Sequence, residues 1–333
     1  MLIWRSAAFG DVIVTTPVVR HLKSQGHEIV YVTSKRGLEV LKNNPHIERV
    51  VLHKEETPIE KLSQEIEWLR KKFHCDRVID FSESIEVALS QHPRSPNYKL
   101  SKPERLARFN RNFYEYSFEH AGENWKEGVD LKPELFFEDH EIRDAKKRLR
   151  DGCFNILLGL SGSGSNKAWP WGQDFAYKLC ADFPDVHIIT VGDEKCRLIE
   201  PDQEHQDQIT CLSGKLSMRE SMALTSVVDL VIAPDTGLLH ASGCFDTPKI
   251  GLLGHNTIEC ITKYFRNDYS IESNPDLAPC SPCFYLIYNM KIQCPLNPIS
   301  QGSVCMSDGI TLEMVYERFS KVYAELKEGS RVS

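Results

Sequence analysis

The chain has 333 residues, 41% hydrophobic and 26% charged, an ordinary globular balance and long enough for two domains. A net charge of −7 gives no global basic field for nucleic acid. No run nears the roughly 18 consecutive apolar residues of a membrane span, and Leu2-Ile3-Trp4 passes at once into Arg5, unlike a secretory leader, so a cytoplasmic protein is expected.

In chain order, short apolar runs predict strands at 2–4, 29–33, 50–52 and 78–81, alternating with helical patterns over 12–23, 36–43 and 59–73. Pro17 falls inside the first helix and reads as a kink or a later start. Residues 93–103, rich in Pro, Ser and Lys, read as a loop, and 104–121 as a basic helix. A second alternation follows, with strands at 155–160, 186–191, 230–233 and 248–253. Its helices fall at 173–182, 217–226 and from 237. The segment 272–309 is irregular and cysteine-bearing. The helix over 311–327 is amphipathic, with Leu312, Val315, Phe319, Val322 and Leu326 on one face. This rhythm predicts an α/β protein of two Rossmann-like, doubly wound parallel sheets, 1–150 and 151–310, closed by a helix and tail at 311–333.

In such sheets ligands bind where strands hand over to helices, and three of these turns carry chemistry. Asp11, after Gly10, fits either an N-cap or a general base, and composition does not choose. The loop Ser161-Gly162-Ser163-Gly164-Ser165-Asn166-Lys167 lets backbone N–H groups approach a phosphate, and Lys167 adds charge; a flexible surface loop fits the same residues. It has neither the ending of a P-loop nor the third glycine of a dinucleotide fingerprint. Asp235-Thr236-Gly237 offers a hydroxyl and a close backbone at a helix start, the makings of a diphosphate site, with His240 one turn further. The plainer readings are an N-cap for Asp235 and a backbone-bonded His240. The chain has no Asp-x-Asp triplet, so a diphosphate here would be held by backbone dipoles and Lys167.

Of 11 cysteines, seven are scattered singly and read as ordinary thiols. Cys280, Cys283, Cys294 and Cys305 cluster within 26 residues, a pattern for tetrahedral zinc or iron, or for four reduced thiols packing a loop. Arg105, Arg108 and Arg111 recur every three residues, a stripe that suits a phosphorylated acceptor or a solvated face.

With these residues the chain resembles glycosyltransferase family 9, the bacterial heptosyltransferases. The stretch from Ile3 through Gly10-Asp11-Val12 to Pro17 resembles the family's opening, where the aspartate is the catalytic base. Lys167-Ala168-Trp169-Pro170 resembles its Lys-x-Trp-Pro segment, whose lysine contacts the donor phosphates. Leu212 to Ser217 and Asp235 to His240 resemble its nucleotide-sugar site, and Glu194 stands where the family carries an acidic residue for the donor. The cysteine run is similar to one that holds iron in some protein-modifying members.

The resemblance implies a GT-B fold, its two Rossmann-like domains facing a central cleft, with the acceptor on 1–150 and the nucleotide sugar on 151–310. It implies an inverting transferase moving heptose from ADP-heptose to a hydroxyl of lipopolysaccharide inner core, with Asp11 as base. Gly162, Ser163, Lys167, Glu194, Asp235, Thr236, Gly237 and His240 would hold the donor, and Arg105, Arg108 and Arg111 the acceptor. No metal would serve catalysis, a structural zinc or iron would sit at the cysteines, no nucleic acid would bind, and membrane contact would be at most peripheral. The small residues at Gly162-Ser163 depart from the paired hydroxyl residues of the family, and the acceptor half matches no pattern. A protein acceptor, autotransporter serines, therefore stays open, as does a non-catalytic nucleotide-sugar-binding protein.

Overall fold

Pro17 does not delay the first helix: α1 runs over Phe9–Ser24 with the proline inside it. A proline cannot donate to the carbonyl four residues back. That carbonyl, on Ile13, accepts instead from the Thr16 hydroxyl at 2.8 Å. Thr16 Oγ1 in turn accepts from the Glu134 N–H at 2.9 Å, so the interruption is absorbed locally. Around α1 the strands β1 (Leu2–Trp4), β2 (Val30–Thr33), β3 (Arg49–Leu52) and β4 (Val78–Asp80) form a parallel sheet in the order β3-β2-β1-β4. Helices α2 (Lys35–Leu41) and α3 (Ile59–Lys72) supply the crossovers.

The basic helix expected over 104–121 is two helices, α4 (Lys102–Phe109) and α5 (Phe113–His120). Asn112 breaks them, its side-chain oxygen accepting from the N–H groups of Tyr114 and Glu115 at 2.9 and 3.2 Å. Arg105 and Arg108 therefore lie on α4 and Arg111 in the link, so the three arginines do not share one helical stripe. The computed structural model describes residues 1–6, 8–53, 59–83, 100–126, 128–162, 164, 167–202, 207–284, 294 and 302–329. It divides into two interleaved units, Met1–Ala88 with Arg111–Glu138, and Leu89–Asn110 with Asp139–Ser333.

In the second unit α4 is tied to a downstream loop. Lys102 Nζ donates to the carbonyls of Pro279 and Ser281, each at 2.7 Å, and Arg105 Nε to that of Cys283 at 2.8 Å. Helix α6 (Asp139–Lys146) is held by Glu141, whose carboxylate takes two bonds from buried Arg219 at 2.7 and 2.9 Å. Six parallel strands follow: β5 (Phe154–Gly159), β6 (Val186–Val191), β7 (Ile209–Cys211), β8 (Leu230–Pro234), β9 (Lys249–Leu253) and β10 (Ile271–Glu272). Their order, β10-β9-β8-β5-β6-β7, is that of a doubly wound sheet, reversing between β5 and β8.

Helices α7 (Gly172–Asp182), α8 (Met218–Leu224), α9 (Gly237–Gly243), α10 (Ile258–Ile261), α11 (Val304–Ser307) and α12 (Leu312–Gly329) complete it. On α12, Val315, Phe319 and Val322 are wholly buried in the sheet's core, a gain of about 1.5–3 kcal/mol each. His187 lies buried across three strands. Its Nδ1 donates to Asn155 Oδ1 and its Nε2 accepts from Thr210 Oγ1, both at 2.9 Å. Burial, followed by the charge of Arg150, pushes its pKa down to about 4. Among the described residues no helix is long and apolar enough to cross a membrane.

Candidate active site

The switch point of the second sheet lies between β5 and β8, where the strand order reverses. The loop leaving β5 presses on the turn leaving β8. A Cβ on Gly162 would stand 2.7 Å from Thr236 Cγ2 and 3.0 Å from Lys167 Cδ, so a side chain there would displace both. Lys167 turns inward, its Nζ 3.2 Å from Asp235 Oδ2. Asp235 is not the N-cap of α9, a position that Thr236 occupies without a side-chain capping bond.

Asp235 is only 3% exposed and its two oxygens face four side chains. Oδ2 accepts from Asn256 Nδ2 at 2.8 Å and lies 3.6 Å from His255 Nε2, while Oδ1 lies 3.6 Å from His240 Nε2. Burial opposes the carboxylate, but the Lys167 ammonium, the His240 bond and the His255 ring outweigh it and hold the carboxyl well below its usual range. His255 goes the other way: burial first, then Lys167, pushes its pKa down to about 4 against the pull of Asp235. At neutral pH the cluster thus joins an anionic Asp235, a cationic Lys167 and a neutral His255. It can meet an arriving anion with a fixed ammonium whose charge is balanced beforehand.

Sequence reasoning brought Lys167, Asp235 and His240 to one site but missed His255 and Asn256. They follow β9, the next strand beyond β8, at the same carboxyl edge. The signal was an abrupt polar turn after a buried strand. Gly237 opens α9 beside Thr236. Glu194 opens a 3-10 turn (Glu194–Ile199) after β6 and pairs with Arg197 at 2.6 Å on the surface. Its carboxylate also lies over Gly214, whose φ of +68° favours glycine and whose Cβ would approach Glu194 Oε2 to 2.5 Å. Ser163 lies outside the described residues.

In the first unit Asp11 sits in the first turn of α1. Its Oδ2 accepts from the Ala8 N–H at 3.1 Å, and its Oδ1 lies 2.9 Å from Arg5 Nη2. Beside it the Ser6 hydroxyl bonds the His53 ring. The arginines expected at the acceptor are dispersed. Arg105 serves main-chain carbonyls of the second unit, Arg108 lies 5.6 Å from the Phe109 ring centre, and Arg111 pairs with Glu119 and lies over Tyr116.

Cys294 and Cys305 are buried, and Cys280 and Cys283 half-buried. Burial pushes the Cys280 and Cys305 thiols up, and the other cysteines add to it, Cys294 at Cys280 and Cys283 at Cys305. Among the described residues no group of three or more His, Cys, Asp or Glu side chains is set to hold a metal ion. The zinc or iron expected from the spacing is therefore not shown.

Residues 126–286 match the family model described as glycosyltransferase family 9 (heptosyltransferase). Lipopolysaccharide heptosyltransferase 1 of Campylobacter coli is 24% identical over 306 residues, 81% of this chain and 86% of that protein. The solved structure of Escherichia coli ADP-heptose lipopolysaccharide heptosyltransferase II superposes with a TM-score of 0.67 at 14% identity, covering 98% of this chain and 99% of that one. TibC, an iron-containing dodecameric glycosyltransferase of enterotoxigenic E. coli, superposes with a TM-score of 0.61 at 12% identity, covering 98% of this chain and 76% of that one. At these identities the structural matches establish the fold, GT-B with two Rossmann-like domains.

Proposed function

We propose a specific reaction for a chain that belongs to glycosyltransferase family 9 and is a glycosyltransferase: transfer of a heptose from ADP-heptose to an acceptor hydroxyl, with inversion at the anomeric carbon. The observation that carries it is the buried Lys167–Asp235–His240 cluster at the β5/β8 switch point. As the glycosidic bond breaks, negative charge grows on the leaving diphosphate. Lys167, with the backbone at Gly162, Thr236 and Gly237, would stabilise it where it forms. Glu194 would meet the nucleoside or sugar end of the donor. In the first unit Asp11 would take the proton of the attacking hydroxyl.

The acceptor read from the relatives is lipopolysaccharide inner core, with Arg108 and Arg111 as cations for its phosphates; Arg105, already engaged on carbonyls, would act only indirectly. The experiment is ADP release by purified protein given ADP-heptose with an inner-core oligosaccharide or with a serine-bearing autotransporter peptide. Release with the oligosaccharide supports the reading, and release with the peptide alone moves it to a protein acceptor. Donor binding without release under either condition would leave a nucleotide-sugar-binding protein. A structural zinc or iron at Cys280, Cys283, Cys294 and Cys305 belongs to the same proposal, and about one equivalent in protein purified without chelator supports it.

A further inference from the structure

Arg5 leaves the carboxyl end of β1 and is only 4% exposed. Taking a guanidinium out of water is costly unless its donors find partners. Two do: Nη1 donates to the Phe81 carbonyl at 2.7 Å, and Nη2 meets Asp11 Oδ1 at 2.9 Å, while Nε is buried without a hydrogen-bond partner. Phe81 directly follows β4, which pairs with β1 on the side where the order of the first sheet reverses. The guanidinium therefore bridges a switch point, and two strand ends set its position.

Asp11 is held from both sides. Oδ1 rests on Arg5 and Oδ2 on the Ala8 N–H, which fixes the plane of the carboxylate. Capping alone would need only the Ala8 bond. A buried arginine braced against a second strand is more than a cap requires.

We infer that Arg5 is a positioning residue of the transfer: by bridging Phe81 and Asp11 it keeps the carboxylate ionised and aimed to take the acceptor proton. The inference rests on the reading of Asp11 as the base. It predicts that Arg5 sets the pH at which Asp11 works as well as how fast, which a purely structural arginine would not do. Among the described residues the other titratable group that feels both charges is Tyr31 of β2, buried, bonded to Thr15 and with its pKa pushed up by that burial, so it stays neutral.

The test uses the full chain labelled with [γ-13C]aspartate, the Asp11 resonance being assigned by its loss in Asp11→Asn. In Arg5→Met the midpoint of that resonance rises by about one to three pH units, as expected when an adjacent guanidinium is removed. The acid limb of kcat for ADP release, with ADP-heptose and inner-core oligosaccharide, rises with it. At neutral pH kcat falls by roughly a hundredfold, the cost of a misplaced catalytic group, while KM for ADP-heptose holds. Arg5→Lys, which keeps the charge, leaves the acid limb near its original place while kcat still drops, and it carries the test if Arg5→Met does not fold. An unmoved midpoint in Arg5→Met, or a moved midpoint with wild-type turnover, overturns the inference and leaves the base intact. Wild-type turnover in Asp11→Asn overturns both.

Discussion

Lys167 and Asp235 meet inside the second unit with the ammonium nitrogen 3.2 Å from Oδ2 and only 9% and 4% of their side chains exposed. Removing one member of such a pair strands the other as an uncompensated buried charge, at a cost of about 3–5 kcal/mol. Lys167→Met should therefore lose stability by that order in urea unfolding and weaken ADP-heptose binding by calorimetry. The double substitution Lys167→Met with Asp235→Asn should recover much of the stability and none of the affinity. Unchanged donor affinity in Lys167→Met would remove the lysine from the donor site.

Asp11→Ala addresses the other half of the reaction. General-base catalysis is worth roughly two to four decades, so kcat should fall by that much while the dissociation constant for ADP-heptose stays put. Turnover close to wild type would leave Asp11 as a residue that caps α1.

Acid should destabilise this protein earlier than its carboxylates alone would predict. His187 and His255 are both buried and titrate at about 4 instead of 6.5. A lowered folded-state pKa means that the unfolded chain takes up the proton first as the pH falls. The stability these rings confer is thus complete above pH 6.5 and is lost between about 6.5 and about 4, up to roughly 3 kcal/mol each. Urea titrations at pH 7.5, 6 and 5 should show midpoints falling in that window, and His187→Gln should flatten part of the slope. Midpoints flat from 7.5 to 5 would contradict the buried, neutral state of both rings.

Transfer should survive exhaustive chelation. The carboxylate nearest the proposed diphosphate site already shares Oδ2 with the Lys167 ammonium and the Asn256 amide. A divalent cation on that oxygen would have to displace a cation of the protein itself. Strict dependence on added magnesium or manganese, measured as ADP release after dialysis against EDTA, would refute the metal-free donor site.

Much of the frame was legible because central parallel strands are covered on both faces and so form unbroken apolar runs. β6 runs over Val186–Val191, as its sequence predicts. β7 and β10, of three and two residues at the sheet edges, are too short to leave a pattern. The break between α4 and α5 was hidden because one side chain, Asn112, decides it against a continuing helical composition. Within the site, Lys167, Asp235 and His240 lie in recognisable turns, whereas His255 and Asn256 depend on β9 lying next to β8, which is a fact of topology. Arg105 misled for a simpler reason: an arginine destined for main-chain carbonyls looks in sequence like one facing solvent.

The exchange of segments between the two units bears on how the chain is made. Asn110 accepts a bond from Thr257, 147 residues further on, and Arg105 reaches Cys283, 178 residues further on. At a synthesis rate of about 5–20 residues per second, α4 would leave the ribosome roughly ten to thirty-five seconds before its partners. Meanwhile the last part of the first unit, Arg111–Glu138, emerges after α4 and can complete that unit. The nascent protein can thus carry a complete first unit interrupted in sequence by α4, whose Phe109 lacks its ring neighbour until Phe284 is made.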